Sequence, residues 1–598
     1  MPLYTFIFFL NIIGDFKKMK KIVTKNIWIV FILIALLWPL LILNKGIDFT
    51  DVGFYLANYT HILKAPDKYG IGTYMSNYIG GLLYSVFPSH NLMLLKFMRL
   101  FVDGISMILA FLVLKEYFNK NALSFFLMIA SFALSRFPQC LSYNTFSVLF
   151  LSLCVFLLHK WINSKKGYLA VLLGATVGLS VSFRLPNLLF AVLGFVVLWV
   201  DITEERKCII KDILRMTLGG LLGIGTGTAF VVRSVGFSGL IKGMNRYVDL
   251  GTDTDNSHGI MNMFKTVKNQ MFSGVAKHIF YIAVAGIFLL ILIYLIQKQR
   301  SSGKKAYEKY TAVVVGLIYV TATFLSAFKT HNIDTSVVMT ALITIPVSLF
   351  SVFYYRKKDT KLSAISAVIL CICVVIPFGT DNGIFQNTIV FFWTLPYTVI
   401  VFYNIIKDYC LKGKATILNS AVLSLCIVIL VNISAINIYN NITLACTSQY
   451  RESSYNETKY IPSDKCLAGV HTTKKKAFFL DGISEFMSKE EFNDKKVLAI
   501  NNIPLVFALI DNENLLGTSF WADLSSVSFN KLKLSLENAK ESNDLPVVII
   551  YNLSIYDTPI EKDSERTEYV KKFCESMNYK VADEGILDGQ LIYSILEP

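Results

Sequence analysis

Long apolar segments alternate with short polar connections over the first 437 positions of the chain. Most of these segments approach the roughly 17–25 residues that an α-helix needs to cross the hydrocarbon core of a bilayer. The fifth and sixth segments are short and share a break at Arg184-Leu185-Pro186, which leaves twelve as an alternative count. The pattern predicts about thirteen membrane spans, near 26–43, 93–114, 122–138, 143–159, 168–183, 186–200, 213–232, 278–296, 310–328, 336–354, 362–377, 388–405 and 416–437.

From about position 438 the pattern changes to short apolar runs between polar segments. Alternating strands and helices of this kind predict a small α/β domain over 438–598. No glycine-rich phosphate loop follows any of the strands, so a binding or lid role is favoured over independent catalysis. The predicted strands are Val497–Ile500, Pro546–Tyr551 and Leu591–Leu596, and the predicted helices are Ile503–Asp511, Phe529–Ala539 and Ser564–Met577.

Composition and charge agree with a membrane protein and give its orientation. The 598 residues are 54% hydrophobic and 17% charged, which is typical of integral membrane proteins. The net charge of +15 could suggest a nucleic-acid partner, but the basic residues are concentrated in membrane loops. Six short loops hold 20 Lys and Arg residues, whereas the four short loops on the other side hold three in total. The positive-inside rule makes the basic loops cytoplasmic. We therefore expect no nucleic-acid partner, a cytoplasmic N-terminus, an extracytoplasmic C-terminal domain and a location in the bacterial cytoplasmic membrane.

Two long connections are predicted to face outward, 44–92 and 233–277. The first contains Asp48 and Asp51 directly after the first span. If a helix starts at Asp51, then Tyr55, Asn58 and His61 follow on the same face. A carboxylate here could act as a general base or help to hold a divalent cation. The alternative is a helix cap at Asp51 in an ordinary hydrated loop.

Basic residues near the outer ends of spans are the second group of candidates. Arg99 and Asp103 are four residues apart, so they form either a self-satisfied ion pair or a guanidinium ready to bind phosphate. Arg184 and Lys329 run against the topology rule, and either snorkel to the interface or bind an anionic headgroup. The sequence around Asn144 and the run Gly379–Gly383 suit either sugar hydroxyls or turns and caps.

Other motifs narrow the class of protein. The chain has no GxSxG, HExxH or Walker motif, which argues against hydrolases and ATPases. The Gly251–Gly259 run lacks the frame of an EF-hand and is interpreted as a flexible loop. Cys446 and Cys466 both fall on the outer side, where they form a disulfide or remain free thiols.

The run Asp48-Phe49-Thr50-Asp51-Val52-Gly53-Phe54-Tyr55 resembles the D-x-x-(D/E)-x-x-Y pattern in the first outward loop of the GT-C superfamily of membrane glycosyltransferases. The layout is most similar to the protein O-mannosyltransferase and lipid A aminoarabinose transferase group, and Arg99 and Lys329 also match its pattern. The chain departs from the family where it has Asp51-Val52 instead of two adjacent acids, and Asn144 where some members carry an acid. These departures leave the acceptor type and any metal dependence open.

The resemblance implies a transferase that uses a polyprenyl-phosphate sugar at the outer membrane face. Asp51 would deprotonate the acceptor, and Asp48 would support it or share a divalent cation with it. Arg99, Arg184 and Lys329 would neutralise the phosphate leaving group. The acceptor would be a glycan, a lipid or a protein, with membrane lipids as further partners. Contacts to the acceptor or sugar are expected from Tyr55, His61, Asn144 and His331.

Two other classes of function are alternatives. A polymerase or ligase of lipid-linked oligosaccharides has a similar number of spans, but a terminal α/β domain argues against it. A polysaccharide or lipid transporter would favour charges at the membrane midplane and internal repeats. The candidate charges of this chain instead cluster at the outer face, which favours surface chemistry.

Overall fold

The computed structural model describes residues 26–252, 260–274 and 333–598, apart from positions 70, 87, 88, 90, 135, 136, 207, 381, 413–416, 449, 519 and 524–526. Two predicted spans, 278–296 and 310–328, lie outside these residues. The candidate site residues Lys329 and His331 lie outside them as well. Their predicted roles therefore stay predictions.

Each of the other eleven predicted spans falls on an apolar helix. Within the described ranges, seven helical stretches of at least 18 residues are apolar enough to cross a membrane, and α1, α5, α7 and α12 are apolar but shorter. The chain is a mostly helical membrane protein, and the number of thirteen spans stays a prediction. The helices are α1 (Ile27–Leu41), α2 (Asp51–Ile62), α3 (Tyr74–Val86), α4 (Asn91–Leu114), α5 (Lys120–Leu134), α6 (Tyr143–Ser164), α7 (Gly167–Phe183), α8 (Leu193–Thr203), α9 (Ile209–Thr252), α10 (Ile260–Asn269), α11 (Ile333–Tyr355), α12 (Thr360–Val375), α13 (Phe391–Lys412) and α14 (Ile417–Thr447).

Helices α7 and α9 lie backbone against backbone. A Cβ atom added at Gly174 would come within 1.8 Å of the Met216 carbonyl oxygen, so only glycine fits at this position. Small residues permit such close helix contacts in membranes. The contact fixes α7, which ends at Phe183, and so fixes the position of Arg184 directly after it.

The predicted outward segments contain helices of their own. Helix α2 begins at Asp51, the start that the sequence analysis considered, and it is followed by short 3-10 turns and α3. In the second outward segment, α9 continues to Thr252 with a break at Gly236, where φ is 73°. The described part of 233–277 is therefore mainly helical.

The C-terminal region folds as a small α/β domain around a four-stranded sheet in the order β1-β2-β4-β3. Strands β1 and β2 run parallel, with Val497 opposite Val547, whereas β4 is antiparallel to both β2 and β3. The three predicted strands are confirmed, and so are the last two predicted helices. The elements are α15 (Lys474–Met487), β1 (Val497–Ile500), α16 (Val506–Leu509), α17 (Phe529–Glu541), β2 (Val547–Tyr551), α18 (Glu565–Ser576), β3 (Lys580–Leu587) and β4 (Gln590–Glu597).

Two elements of this domain, a helix and a strand, were not predicted from the sequence. Both contain charged residues that interrupt the apolar periodicity by which such elements are recognised. Helix α15 starts with three lysines, and its start is marked by the Thr473 side chain, which accepts a hydrogen bond from the backbone N–H of Lys476. Strand β3 lies at the sheet edge, contains Asp583 and Glu584, and has two irregularities in its register with β4. Charges and bulges are common on edge strands because they prevent further pairing.

The C-terminal domain packs directly on the first of the two segments that are predicted to face outward, 44–92. The backbone N–H of Leu505 donates to the Phe49 carbonyl at 3.2 Å, and the Phe49 ring lies 5.6 Å from Phe479 and 5.5 Å from Tyr551. A Cβ atom at Gly53 would come within 2.5 Å of the Leu505 nitrogen. The domain therefore shares a hydrophobic core with the start of α2.

The two cysteines that are predicted to lie on the outer side are free thiols. Cys446 is exposed near the end of α14, and Cys466 is buried in the C-terminal domain. Burial raises the pKa of the Cys466 thiol to about 12, so this thiol stays protonated at neutral pH. Of the two alternatives, the structure shows the pair without a disulfide.

Candidate active site

Asp48 caps the start of helix α2. Its Oδ1 atom accepts hydrogen bonds from the backbone N–H of Thr50 at 3.0 Å and from the Thr50 hydroxyl at 2.5 Å. Its Oδ2 atom accepts from the backbone N–H of Val52 at 3.1 Å. The side chain is buried, and both oxygens satisfy groups that a helix start leaves open. The helix-cap alternative therefore describes Asp48, although the sequence analysis attached it to Asp51.

Asp51 is the first residue of α2 and stays partly open, with its side chain 26% exposed. Its Oδ2 atom lies 3.1 Å from the Arg451 Nη1 atom and accepts a hydrogen bond from the Tyr450 hydroxyl at 3.0 Å. The same Nη1 atom donates to the Thr50 hydroxyl at 2.6 Å. A guanidinium and a helix N-terminus both favour an ionised carboxylate. Asp51 is thus a partly exposed acceptor at the start of α2.

The groups around Asp51 hold their protons. Burial and the nearby Asp51 carboxylate raise the pKa of the Tyr450 hydroxyl, which therefore donates its hydrogen bond as a neutral phenol. Burial alone would lower the pKa of Arg451, but Asp51 and Tyr450 raise it above its ordinary value. The Asp51 carboxylate consequently faces one neutral and one cationic donor.

A pair of tyrosine rings joins Asp51 to Arg184. Tyr55, one turn after Asp51, is buried, and its ring meets Tyr143 edge to face at 5.4 Å. The Arg184 guanidinium lies 5.4 Å from the centre of the Tyr143 ring. Its Nη2 atom donates to the Gly379 carbonyl at 3.0 Å. Arg184 is buried, and no carboxylate of the described residues pairs with it.

Arg99 is satisfied within the protein. Its Nε atom lies 3.2 Å from Asp103 Oδ2, and its Nη2 and Nη1 atoms donate to the carbonyls of Leu134 at 2.9 Å and Phe137 at 3.4 Å. All three nitrogens have partners, as the ion-pair alternative predicted. In this arrangement Arg99 has less capacity for a new ligand than Arg184, and its phosphate role stays a prediction.

A small cavity lies beside the Arg99–Asp103 pair. Its volume is about 30 Å³, and Pro39, Ser131 and Gln139 also line it. A buried water needs roughly 10–15 Å³ of such space, so the cavity has room for about two waters. It is too small for a lipid headgroup or an isoprenoid chain.

Asn144 and His61 contact other parts of the protein. The Asn144 Oδ1 atom accepts from the Gln386 Nε2 atom at 2.9 Å, which ties α6 to the 3-10 segment before α13. The His61 Nε2 atom lies 2.7 Å from the Phe507 carbonyl oxygen, and its ring stacks on Phe520 at 5.6 Å. His61 thus belongs to the contact between α2 and the C-terminal domain. The proposed sugar contacts of both residues stay predictions.

The two aspartates do not fit a divalent cation as they stand. Asp48 accepts from donors at both oxygens, and the Asp51 Oδ2 atom faces a guanidinium and a phenol. A divalent cation needs several free oxygen ligands. Across the ranges that the structure describes, no group of three or more His, Cys, Asp and Glu residues could hold a metal ion. No step of the chemistry below is therefore assigned to a cation.

Tyr450 and Arg451 were missed by the sequence analysis. They follow α14 directly and reach Asp51 across about 400 positions of the chain. Arg451 follows the last predicted span on the side that is predicted to be outer, where a basic residue runs against the topology rule. The same criterion had singled out Arg184 and Lys329, and it could have found Arg451.

We expect contact between α2 and the C-terminal domain to weaken in acid because of His61. Burial lowers the pKa of His61, outweighing the Phe507 carbonyl, which raises it; Lys64 and Lys68 also lower it, and Asp511 raises it. A lowered folded-state pKa gives stability that is fully present above the unfolded pKa, near 6.5, and lost as pH falls toward the folded value. The melting temperature should fall more steeply between pH 7.5 and pH 5 for the wild type than for His61→Gln. Parallel curves for the two proteins would contradict this prediction.

Comparisons with known proteins place few limits on the function. No protein-family model matches the chain, and no curated protein matches it. Two solved structures share part of the arrangement: the Archaeoglobus fulgidus oligosaccharyltransferase in complex with Zn and sulfate, and the same enzyme tethered through a disulfide to an acceptor peptide containing the NVT sequon. Each is 10% identical, with a TM-score of 0.44, and the match covers 88% of this chain and 67% or 69% of theirs. The function of this chain has therefore to be argued from its own residues.

Proposed function

We propose that the protein is an integral membrane glycosyltransferase. It moves a sugar from a polyprenyl-phosphate donor to an acceptor at the outer face of the bacterial cytoplasmic membrane. This function is the one implied by the resemblance of the Asp48–Tyr55 run to the GT-C superfamily. The product would be a cell-envelope glycan, a lipid or a glycosylated protein.

One observation carries the proposal. A partly open carboxylate, Asp51, is linked through the Tyr55–Tyr143 ring pair to Arg184, a buried guanidinium that pairs with no carboxylate of the described residues. Sugar transfer from a phosphate needs a group that accepts a proton from the acceptor and a cation that stabilises the leaving phosphate. A buried cation whose described partners are a carbonyl and a ring usually faces a functional partner of opposite charge. A lipid-linked phosphate at the membrane surface is such a partner.

The chemistry follows from these positions. Asp51 accepts the proton of the acceptor hydroxyl as its oxygen attacks the anomeric carbon of the donor sugar. The bond between that carbon and the phosphate oxygen breaks, and the polyprenyl phosphate leaves with the electron pair. Arg184 stabilises the charge that develops on the phosphate, using a planar fork that matches phosphate oxygens. A single displacement of this kind inverts the anomeric configuration.

The C-terminal domain contributes directly to this site under the proposal. It packs on the segment that carries Asp51, and Arg451 lies near its start. Its position favours a fixed wall of the acceptor site over a separate catalytic unit. Lys329 and His331 are proposed for the phosphate and the sugar on the resemblance alone.

Mass spectrometry of reactions with purified protein tests the proposal. The protein is mixed with a panel of polyprenyl-phosphate sugars and with a membrane extract as the acceptor source. We expect one donor to be consumed and a glycosylated product to form with the inverted anomeric configuration. If folded protein leaves every donor of a broad panel intact, the transferase proposal is wrong and a polymerase or transporter becomes the better hypothesis.

Arg184→Gln is expected to lower kcat/KM for the donor by about 10- to 100-fold, because a hydrogen bond to a charged group contributes roughly 1.5–3 kcal/mol. Arg184→Lys should lie between the wild type and Arg184→Gln, since it keeps the charge but loses the fork. The matched control is Arg356→Gln, whose guanidinium also lies over a ring, that of Trp199 at 5.2 Å, in a predicted cytoplasmic loop. Equal losses in the two glutamine variants would contradict a specific role for Arg184.

A further inference from the structure

Arg451 has unused hydrogen-bonding capacity next to Asp51. Its Nη1 atom makes both of its polar side-chain contacts, to Asp51 and to Thr50. A guanidinium carries five N–H donors, and the Nε and Nη2 atoms have no hydrogen-bond partner among the described residues. The side chain is 28% exposed. Arg451 therefore presents half of its fork to the outside while the other half holds the acid.

The surroundings of Arg451 hold its backbone and flank its side chain with two aromatic rings. The residue has a left-handed backbone with φ of 50°, and its carbonyl accepts a hydrogen bond from the buried Lys476 ammonium at 3.3 Å. The guanidinium lies over the rings of Tyr450, at 4.9 Å, and Trp521, at 5.8 Å. Such contacts keep the plane of the fork ordered without using its donors.

The contact with Asp51 has a consequence for the base. The carboxylate oxygen that faces Arg451 also accepts from Tyr450, so two donors already occupy it. A base that accepts a proton during the reaction needs a free lone pair directed at the acceptor. The donor phosphodiester carries one negative charge, as a carboxylate does, and its two unesterified oxygens match a guanidinium in a bidentate contact. The two anions therefore compete for one guanidinium.

We propose that Arg451 is a ligand of the donor phosphate and that, without donor, it is held on Asp51. Binding of the phosphate draws the guanidinium away from the carboxylate and frees it for the acceptor. The donor thus binds before the acceptor can react, which limits chemistry in its absence. This inference rests on the proposed glycosyltransferase function and adds a phosphate ligand and an order of binding to it.

Binding of a short-chain polyprenyl phosphate without sugar tests the inference on the purified full-length protein in detergent, by titration calorimetry. The variants are Arg451→Gln, Asp51→Asn and the combination of both. Lys474→Gln is the matched control, because this exposed lysine of the same region pairs only with the exposed Asp588. Thermal unfolding shows that each variant is folded, and the donor-panel assay gives the transferase activity of the wild type.

We expect Arg451→Gln to weaken binding of the phosphate about tenfold or more, and Asp51→Asn to tighten it several-fold, because Asp51 no longer competes. The double variant should bind as weakly as Arg451→Gln alone. An unchanged affinity of Arg451→Gln for the phosphate would show that Arg451 does not bind it. Tighter binding by Asp51→Asn that persists in the double variant would show that Asp51 does not compete for Arg451. Either result would overturn the inference. If the wild type transfers sugar under these outcomes, the proposed function stands and only the role of Arg451 is lost. If the wild type binds no polyprenyl phosphate and transfers no sugar, both are wrong.

Discussion

Asp51→Asn is expected to reduce sugar transfer by a factor of about 10²–10⁴, the usual contribution of a general base. Asparagine has nearly the same shape and also suits the first turn of a helix, so α2 should form normally. It cannot accept the proton of the acceptor hydroxyl. The loss should therefore appear mainly in kcat, since the acceptor is still bound but not deprotonated.

The measurement is the rate of product formation by mass spectrometry, with donor and acceptor both saturating. Asp511→Asn is the matched control, because this acid is 79% exposed and pairs with Lys64 beyond the far end of α2. Asp48→Ala separates capping from catalysis: it should cost about 1 kcal/mol of stability through the lost cap while leaving most of kcat. A variant Asp51→Asn with wild-type kcat would remove Asp51 from the mechanism.

Glu452→Gln is expected to destabilise the protein by about 3–5 kcal/mol, the usual cost of leaving one partner of a buried ion pair alone. Glu452 and Lys476 are each 1% exposed and lie 2.9 Å apart. The Glu452 carboxylate also accepts from the backbone N–H of Ile47 at 2.6 Å. Burial alone would lower the pKa of Lys476, but Glu452 and Asp557 raise it overall, so the lysine keeps its charge.

Thermal and denaturant unfolding of the purified variants measure this effect. Lys474→Met on the same helix is the control, because its pair with Asp588 is exposed at both ends and should contribute less than about 1 kcal/mol. The combination Glu452→Gln with Lys476→Met should lose less than the sum of the two single changes, since it leaves no unpaired buried charge. Additive losses would show that the two side chains act independently.

The pair also connects the two parts of the chain that build the site. Glu452 joins the segment before Asp51, through Ile47, to helix α15 of the C-terminal domain. Arg451 is the residue directly before Glu452 and reaches Asp51 itself. A loss of the buried pair should therefore loosen the position of Arg451 as well as the contact between the domains.

The sequence by itself determined the membrane character of the chain and three of the four strands of the C-terminal sheet. These features depend on the length and periodicity of apolar runs, which are local properties and can be read directly from the sequence. Helix α15 and strand β3 were not predicted because lysines and acids interrupt their apolar periodicity. The sequence also supplied Asp48, Asp51, Arg99 and Arg184 as candidates, without deciding among their alternatives.

The tertiary structure decided how those candidates are used. Asp48 became a cap because its oxygens reach the backbone N–H groups of Thr50 and Val52, and Arg99 became self-satisfied because the carbonyls of Leu134 and Phe137 lie within reach. The partner of Asp51 comes from position 451, and no local pattern encodes a contact across that distance. Side-chain partners depend on which segments meet in space, and here the packing of the C-terminal domain on α2 brings Tyr450 and Arg451 to Asp51.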